Sequence, residues 1–204
     1  MKRTPSRPGL KAVLPCVLAL AWLATAAANP PRSLASDAPS ATDGRLRVGD
    51  IAPNFTLPTL DGSTVRLADY LGNQPILLVF WSYFCFPCQK ELPGMQAVYE
   101  ELGPDQLSVL SISLDGPAYD EKVRPFLAKN GITFPTMYDN MTTEFFEIAE
   151  KYGVVGTPTL FLLDSLGRVR FIHLGRLDAD TLKGLVRSAR EQAFCAEITK
   201  PAAD

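Results

Sequence analysis

Everything else in this 204-residue sequence can be ordered around one stretch, Phe80-Trp81-Ser82-Tyr83-Phe84-Cys85-Phe86-Pro87-Cys88. Upstream, Ile76-Leu77-Leu78-Val79-Phe80 is a continuous apolar run, the pattern of a central strand covered on both faces. Downstream, Gln89 to Leu102 carries Leu92, Met95, Val98, Tyr99 and Leu102 at helical spacing. A strand, a short loop and two cysteines two residues apart therefore meet at the start of a helix. The unpaired N–H groups and positive end of that helix favour a thiolate over a thiol at Cys85. Pro87 falls in the first turn, where its missing N–H is no loss. Pro93 falls inside the helix and predicts a kink. These residues describe a dithiol/disulfide redox site.

Two plainer readings of Cys85 and Cys88 stand beside it. Half of a structural zinc site would need two more Cys or His at matching spacing, and the candidates are His173 and Cys195. No metal is therefore expected. A purely structural disulfide across so short a loop would remove little entropy from the unfolded chain.

Working outward, Phe55-Thr56-Leu57 and Thr64-Val65-Arg66-Leu67 alternate around Asp61-Gly62 and predict a hairpin. Leu67 to Leu71 reads as one helical turn. Leu107 to Leu114 predicts a second buried strand ending in Asp115-Gly116, and Tyr119 to Lys129 an amphipathic helix. Phe134 to Tyr138 is short and extended, and Thr143 to Tyr152 is helical with Gly153 at its C-terminus. Thr159 to Leu163 and Arg168 to Leu174 predict an antiparallel pair, and Asp178 caps a last helix carrying Leu182, Leu185 and Val186. Phe145, Phe146, Phe161 and Phe171 are expected in the core. The order predicts an α/β fold, a central mixed sheet with helices on both faces.

The N-terminus is of a different kind. Lys2, Arg3, Arg7 and Lys11 precede an uncharged apolar run from Ala12 to Ala28, whose end offers small residues at the positions a signal peptidase reads. Residues 1–28 are expected to be a secretory signal, or else an uncleaved membrane anchor, since about 17 residues is the lower limit for a span. Residues 29–44, rich in Pro, Ser, Ala and Asp, read as a flexible linker. Residues 45–194 have the length of one domain with its own core, followed by a disordered tail at 195–204. Loss of the four N-terminal positive charges would move the formal charge from -2 to -6, and no Lys/Arg cluster suggests a nucleic-acid partner. Cys195 is left without an evident partner.

With Phe80-Trp81 ahead of Cys85-Phe86-Pro87-Cys88, and Val155-Gly156-Thr157-Pro158-Thr159 downstream, the chain resembles the thioredoxin superfamily. More closely it is similar to the extracytoplasmic TlpA/ResA-type thiol–disulfide oxidoreductases, over about Val48 to Gln192. Gly49-Asp50-Ile51-Ala52-Pro53-Asn54-Phe55 is similar to that branch and to the AhpC/TSA redoxins, and Leu114 to Tyr138 matches their strand–helix insertion. The resemblance implies a thioredoxin-like three-layer fold with an N-terminal hairpin. It implies Cys85 as the attacking, more exposed thiolate and Cys88 as the resolving thiol. Thr157-Pro158 matches the cis-proline loop that faces the cysteines and hydrogen-bonds an incoming substrate chain. Glu91 matches a carboxylate that tunes the thiols or moves protons.

This sequence departs from the pattern at Phe84, where Trp is usual, at Phe86, where thioredoxin has Gly, and at Val79, where thioredoxin has a buried Asp. Phe84, Phe86 and Pro87 are expected to border the exposed sulfur and meet substrate. The implied function is an exported oxidoreductase, periplasmic, that reduces disulfides of client proteins of the cytochrome c maturation type. A membrane electron donor would re-reduce it, and the Cys85–Cys88 disulfide would serve in place of any cofactor. Two other classes remain open. A thiol peroxidase would want Pro-x-x-x-Thr-x-x-Cys, where this chain has Leu78, Ser82 and Cys85. A non-catalytic chaperone or metallochaperone would want a partner histidine, for which His173 is the candidate.

Overall fold

A computed structural model describes residues 45–142 and 145–198; the expected signal and linker at 1–44 lie outside the described residues. The elements run β1 (Thr56–Pro58), β2 (Thr64–Arg66), a 3-10 turn (Leu67–Tyr70), β3 (Ile76–Trp81), α1 (Phe86–Leu102) and β4 (Ser108–Ser113). A second 3-10 turn (Pro117–Tyr119) leads to α2 (Asp120–Lys129), β5 (Thr136–Tyr138), α3 (Glu147–Lys151), β6 (Thr159–Leu163), β7 (Val169–Leu174) and α4 (Ala179–Ile198). The main sheet has the order β5-β4-β3-β6-β7, with β3 parallel to β4 and antiparallel to β6. It is the mixed three-layer α/β sheet that the alternation of elements predicts.

β3 shows why its sequence is apolar at every position. Successive side chains of a strand point to opposite faces. Ile76, Leu78 and Phe80 enter a core with the β1–β2 hairpin and α3, while Leu77, Val79 and Trp81 enter a second core with α1, α2 and α4. All six are buried, each contributing roughly 1.5–3 kcal/mol by leaving water. On β4 the second-core face carries hydroxyls, and these are satisfied: Trp81 Nε1 donates to Ser111 Oγ at 2.9 Å, and Ser111 Oγ donates to Thr136 Oγ1 at 3.1 Å. The hairpin is tied to β5 by Leu60 N donating to Thr136 O at 2.9 Å.

Four expectations are corrected. α1 starts at Phe86 rather than Gln89, because Cys85 itself caps it, and Pro93 lies inside it. α3 is Glu147–Lys151 rather than a helix from Thr143, and residues 143–144 lie outside the described residues. Phe146 is extended and bridges Met141, while the buried Asp139 carboxylate accepts the Ile148 and Ala149 N–H groups at 2.9 and 2.8 Å, so the helix begins where those donors find it. Phe145 is 53% exposed rather than in the core; Phe161 is buried, and Phe146 and Phe171 are partly so. α4 continues to Ile198, past the expected domain end at 194, and includes Cys195. Among the described residues no helix is long and apolar enough to cross a membrane.

Candidate active site

The parallel register of β3 and β4 pairs Trp81 with Ser113, so the segments leaving both strands emerge side by side. Asp115, two residues past Ser113, uses that proximity. Its buried carboxylate accepts from Ser82 Oγ at 2.6 Å, from the Tyr83 N–H at 2.7 Å and from Ser113 Oγ at 2.7 Å. Ser82 Oγ accepts from Phe84 N, Cys85 N donates to Ser82 O, and Gln89 Nε2 donates to Tyr83 O. Every backbone donor from Tyr83 to Cys85 is therefore assigned, and the loop that delivers Cys85 to the helix has little freedom. The sequence marked Asp115 only as a turn. The signal that could have found it is the shared C-terminal edge of two adjacent parallel strands, where α/β sheets place their sites.

Cys85 is the N-cap of α1 and is joined to Cys88 in a disulfide, with Cα atoms 5.2 Å apart. Its Sγ accepts the Cys88 N–H at 3.2 Å, one of the orphan donors of the first turn. Cys88 is fully buried beneath Trp81 and Leu92 in the second core, whereas Cys85 is half-buried, so solvent reaches one sulfur of the two. Cys85 Sγ also lies 3.3 Å from Thr157 O. A disulfide sulfur carries no proton, so this is a contact; a reduced Cys85 thiol would donate there.

Thr157-Pro158 is the cis bond that the resemblance implies. Pro158 is buried and its carbonyl accepts from Gly175 N at 2.8 Å, which ties the loop to the end of β7. Phe84 and Phe86 are 58% and 68% exposed on either side of Cys85, and Pro87 is exposed. The Phe84 ring packs edge-on against Tyr119 at 4.9 Å, and Tyr83 against Phe126 at 6.0 Å, so α2 and the turn before it support the loop. Tyr119 lies 35 positions from Phe84 in sequence, and only the fold brings the two rings together.

Glu91 is 5% exposed, but its hydrogen bonds point to the β7–α4 loop. Oε1 accepts from Leu177 N at 2.8 Å and Oε2 from Arg176 Nε at 3.3 Å. The expected carboxylate is thus on the helix turn after Cys88, engaged elsewhere than with the sulfurs. His173 lies on β7, its ring stacked on Phe171 at 5.9 Å and its Nε2 2.9 Å from Arg176 O.

Known proteins resemble this chain in sequence and fold. The AhpC/TSA family profile matches residues 48–172. The thiol-disulfide oxidoreductase ResA of Geobacillus thermodenitrificans is 32% identical over 145 residues, 71% of this chain and 79% of the relative. The thioredoxin-like protein YneN of Bacillus subtilis is 34% identical over 65% of this chain and 74% of its own length. Among solved structures, a Chlorobium tepidum protein described as a thiol:disulfide interchange protein DsbE superposes with a TM-score of 0.58 at 34% identity, covering 71% of this chain and 98% of that one. StoA from Bacillus subtilis gives 0.56 at 27% identity, covering 66% and 97%. Fold and matched span agree, and the chain belongs to the AhpC/TSA family of thioredoxin-like proteins.

Proposed function

We propose that this chain, a thiol–disulfide oxidoreductase, reduces disulfides of client proteins outside the cytoplasm, with Cys85 attacking and Cys88 resolving. The observation that carries the reading is the Cys85–Cys88 disulfide, with one sulfur accessible beside Thr157 and the other sealed in the core. In the reduced protein the Cys85 thiolate attacks one sulfur of a client disulfide, forming a mixed disulfide and expelling a client thiolate. Cys88 gives up its proton and attacks Cys85 Sγ, breaking the mixed disulfide and releasing the second client thiolate. Two electrons pass to the client, whose two thiolates take up the proton given up by Cys88 and one from solvent, and the protein is left as the disulfide seen here. A client with a cysteine pair, as in cytochrome c maturation, fits this exchange, and a membrane electron donor would return the two electrons. The disulfide itself is the redox group, with no dissociable cofactor.

The cis-proline loop, Phe84, Phe86 and Pro87 form the border on which the client chain is laid, with the backbone of Thr157, held by cis Pro158, offering hydrogen bonds. Glu91, one helical turn after Cys88, has a supporting part, and in the oxidised state its carboxylate is tied to Arg176 and Leu177. Export is supported by the basic, then apolar, then small-residue N-terminus. The peroxidase reading gains nothing from Ser82, whose hydroxyl is spent on Asp115 and Phe84 N.

Phe86-Pro87 between the cysteines includes no histidine to stabilise a thiolate, which favours the reducing direction. Equilibration of the protein with glutathione buffers tests it. The expected potential lies near that of thioredoxin, about -270 mV, and a value near the DsbA-like -120 mV, roughly 7 kcal/mol away, would overturn the direction.

A further inference from the structure

Two ammonium groups rest on the rings that flank the accessible sulfur. Lys122 Nζ lies 5.3 Å from the Phe84 ring centre and 6.0 Å from that of Tyr119, and Lys90 Nζ lies 5.4 Å from that of Phe86. Phe84 and Phe86 are the covalent neighbours of Cys85, so the residue that carries this sulfur is flanked along the chain by two aromatic–cation pairs. Among the described residues neither ammonium belongs to an ion pair.

The carboxylates of the same elements are engaged or turned away. Asp120 is held by Arg124 and the Tyr138 hydroxyl; the Arg124 hydrogen bond, ahead of Tyr138, keeps its carboxyl below the usual range. Glu91 is held by Leu177 N and Arg176, and Asp115 is buried under the Ser82–Phe84 loop. Glu121 precedes Lys122 directly on α2, and consecutive helical residues do not face each other. Exposed Val155 and Leu174 continue the apolar ground on the Pro158 side, where Leu174 pairs with Thr159.

We propose that this face selects clients whose disulfide cysteine carries carboxylates two or three residues away on either side. The proposal rests on the oxidoreductase reading above. In an extended segment those positions stand roughly 7–10 Å from the client sulfur. That spacing sets the residues next to the client cysteine against the rings and puts the carboxylates in reach of the ammonium heads. The rings hold the two lysines at the rim in advance, so binding orders them at reduced entropic cost. Complementary charge at such a rim acts chiefly on encounter and on the rejection of wrong partners.

Three disulfide peptides of one length, with Glu, Gln or Lys at the flanking positions, test it against the reduced protein by stopped-flow. At low ionic strength the Glu-flanked peptide is expected to be reduced on the order of tenfold faster than the Lys-flanked one, with the Gln-flanked peptide between and the ratio shrinking as salt is added. Lys90→Gln with Lys122→Gln should bring the ratio towards one, and Lys90→Arg with Lys122→Arg should restore it. Working with the ratio removes any uniform change in Cys85 ionisation. A wild-type ratio near one, or one the Gln variants leave intact, overturns the proposal. Titration of the same peptides into the oxidised protein separates the two ideas. Charge-ordered binding without exchange sinks the oxidoreductase reading alone, and exchange without charge order sinks the selection alone.

Discussion

At the scale of single residues, Cys85 and Asp115 divide the work of the site. Cys85 sits where a helix N-terminus stabilises negative charge, with the Cys88 N–H aimed at its sulfur. The pH profile of iodoacetamide alkylation of the reduced protein should therefore show Cys85 titrating below an ordinary free thiol, with buried Cys88 reacting far more slowly; an ordinary inflection would remove the capping argument. Asp115→Ala leaves the Tyr83 N–H and two hydroxyls without their acceptor. We expect a loss of about 2–4 kcal/mol in chemical denaturation and an exchange rate about tenfold lower, while Asp115→Asn recovers part of both. Unchanged exchange in a folded Asp115→Ala protein would show that the loop needs no such anchor. The cysteines were legible because the strand and helix that place them are their neighbours in sequence. Asp115 was not, because its partner lies 32 residues away and only strand register brings the two together.

Among the elements, α4 and α3 show the same contrast. Asp178 reads as an N-cap in sequence and acts as one: its carboxylate accepts the Thr181 N–H at 2.9 Å and the Thr181 hydroxyl at 2.6 Å. The hydroxyl first, then the N–H, hold its carboxyl below the usual range. A folded-state pKa lowered in this way gives stability that is present above the unfolded carboxyl pKa and is lost as pH falls through the folded one. Asp178→Ala should thus lower Tm at neutral pH, with the gap to wild type closing in acid, whereas Asp178→Asn should keep the cap without that acid dependence. A gap that stays constant through the acid range would contradict the assignment. The start of α3 escaped the sequence because Asp139 and the Met141–Phe146 bridge set it, and neither leaves a periodic trace.

Across the whole molecule, one sheet separates two cores, and the dithiol is placed at the C-terminal end of its central strand by elements from β3 to the loop after β7. The strand–helix insertion reaches the site through Phe126, whose ring lies 5.7 Å from Trp81 and 6.0 Å from Tyr83. Phe126→Ala should cost about 3 kcal/mol and slow client reduction together, read by thermal unfolding and insulin turnover; turnover equal to wild type in the folded variant would detach the insertion from the site. The central claim is the division of labour between an accessible and a sealed sulfur. Mass spectrometry of the Cys88→Ser protein after mixing with a disulfide-bearing client tests it most directly. The account predicts a stable mixed disulfide mapped to Cys85 and its absence in Cys85→Ser; no adduct, or one mapped elsewhere, would contradict it.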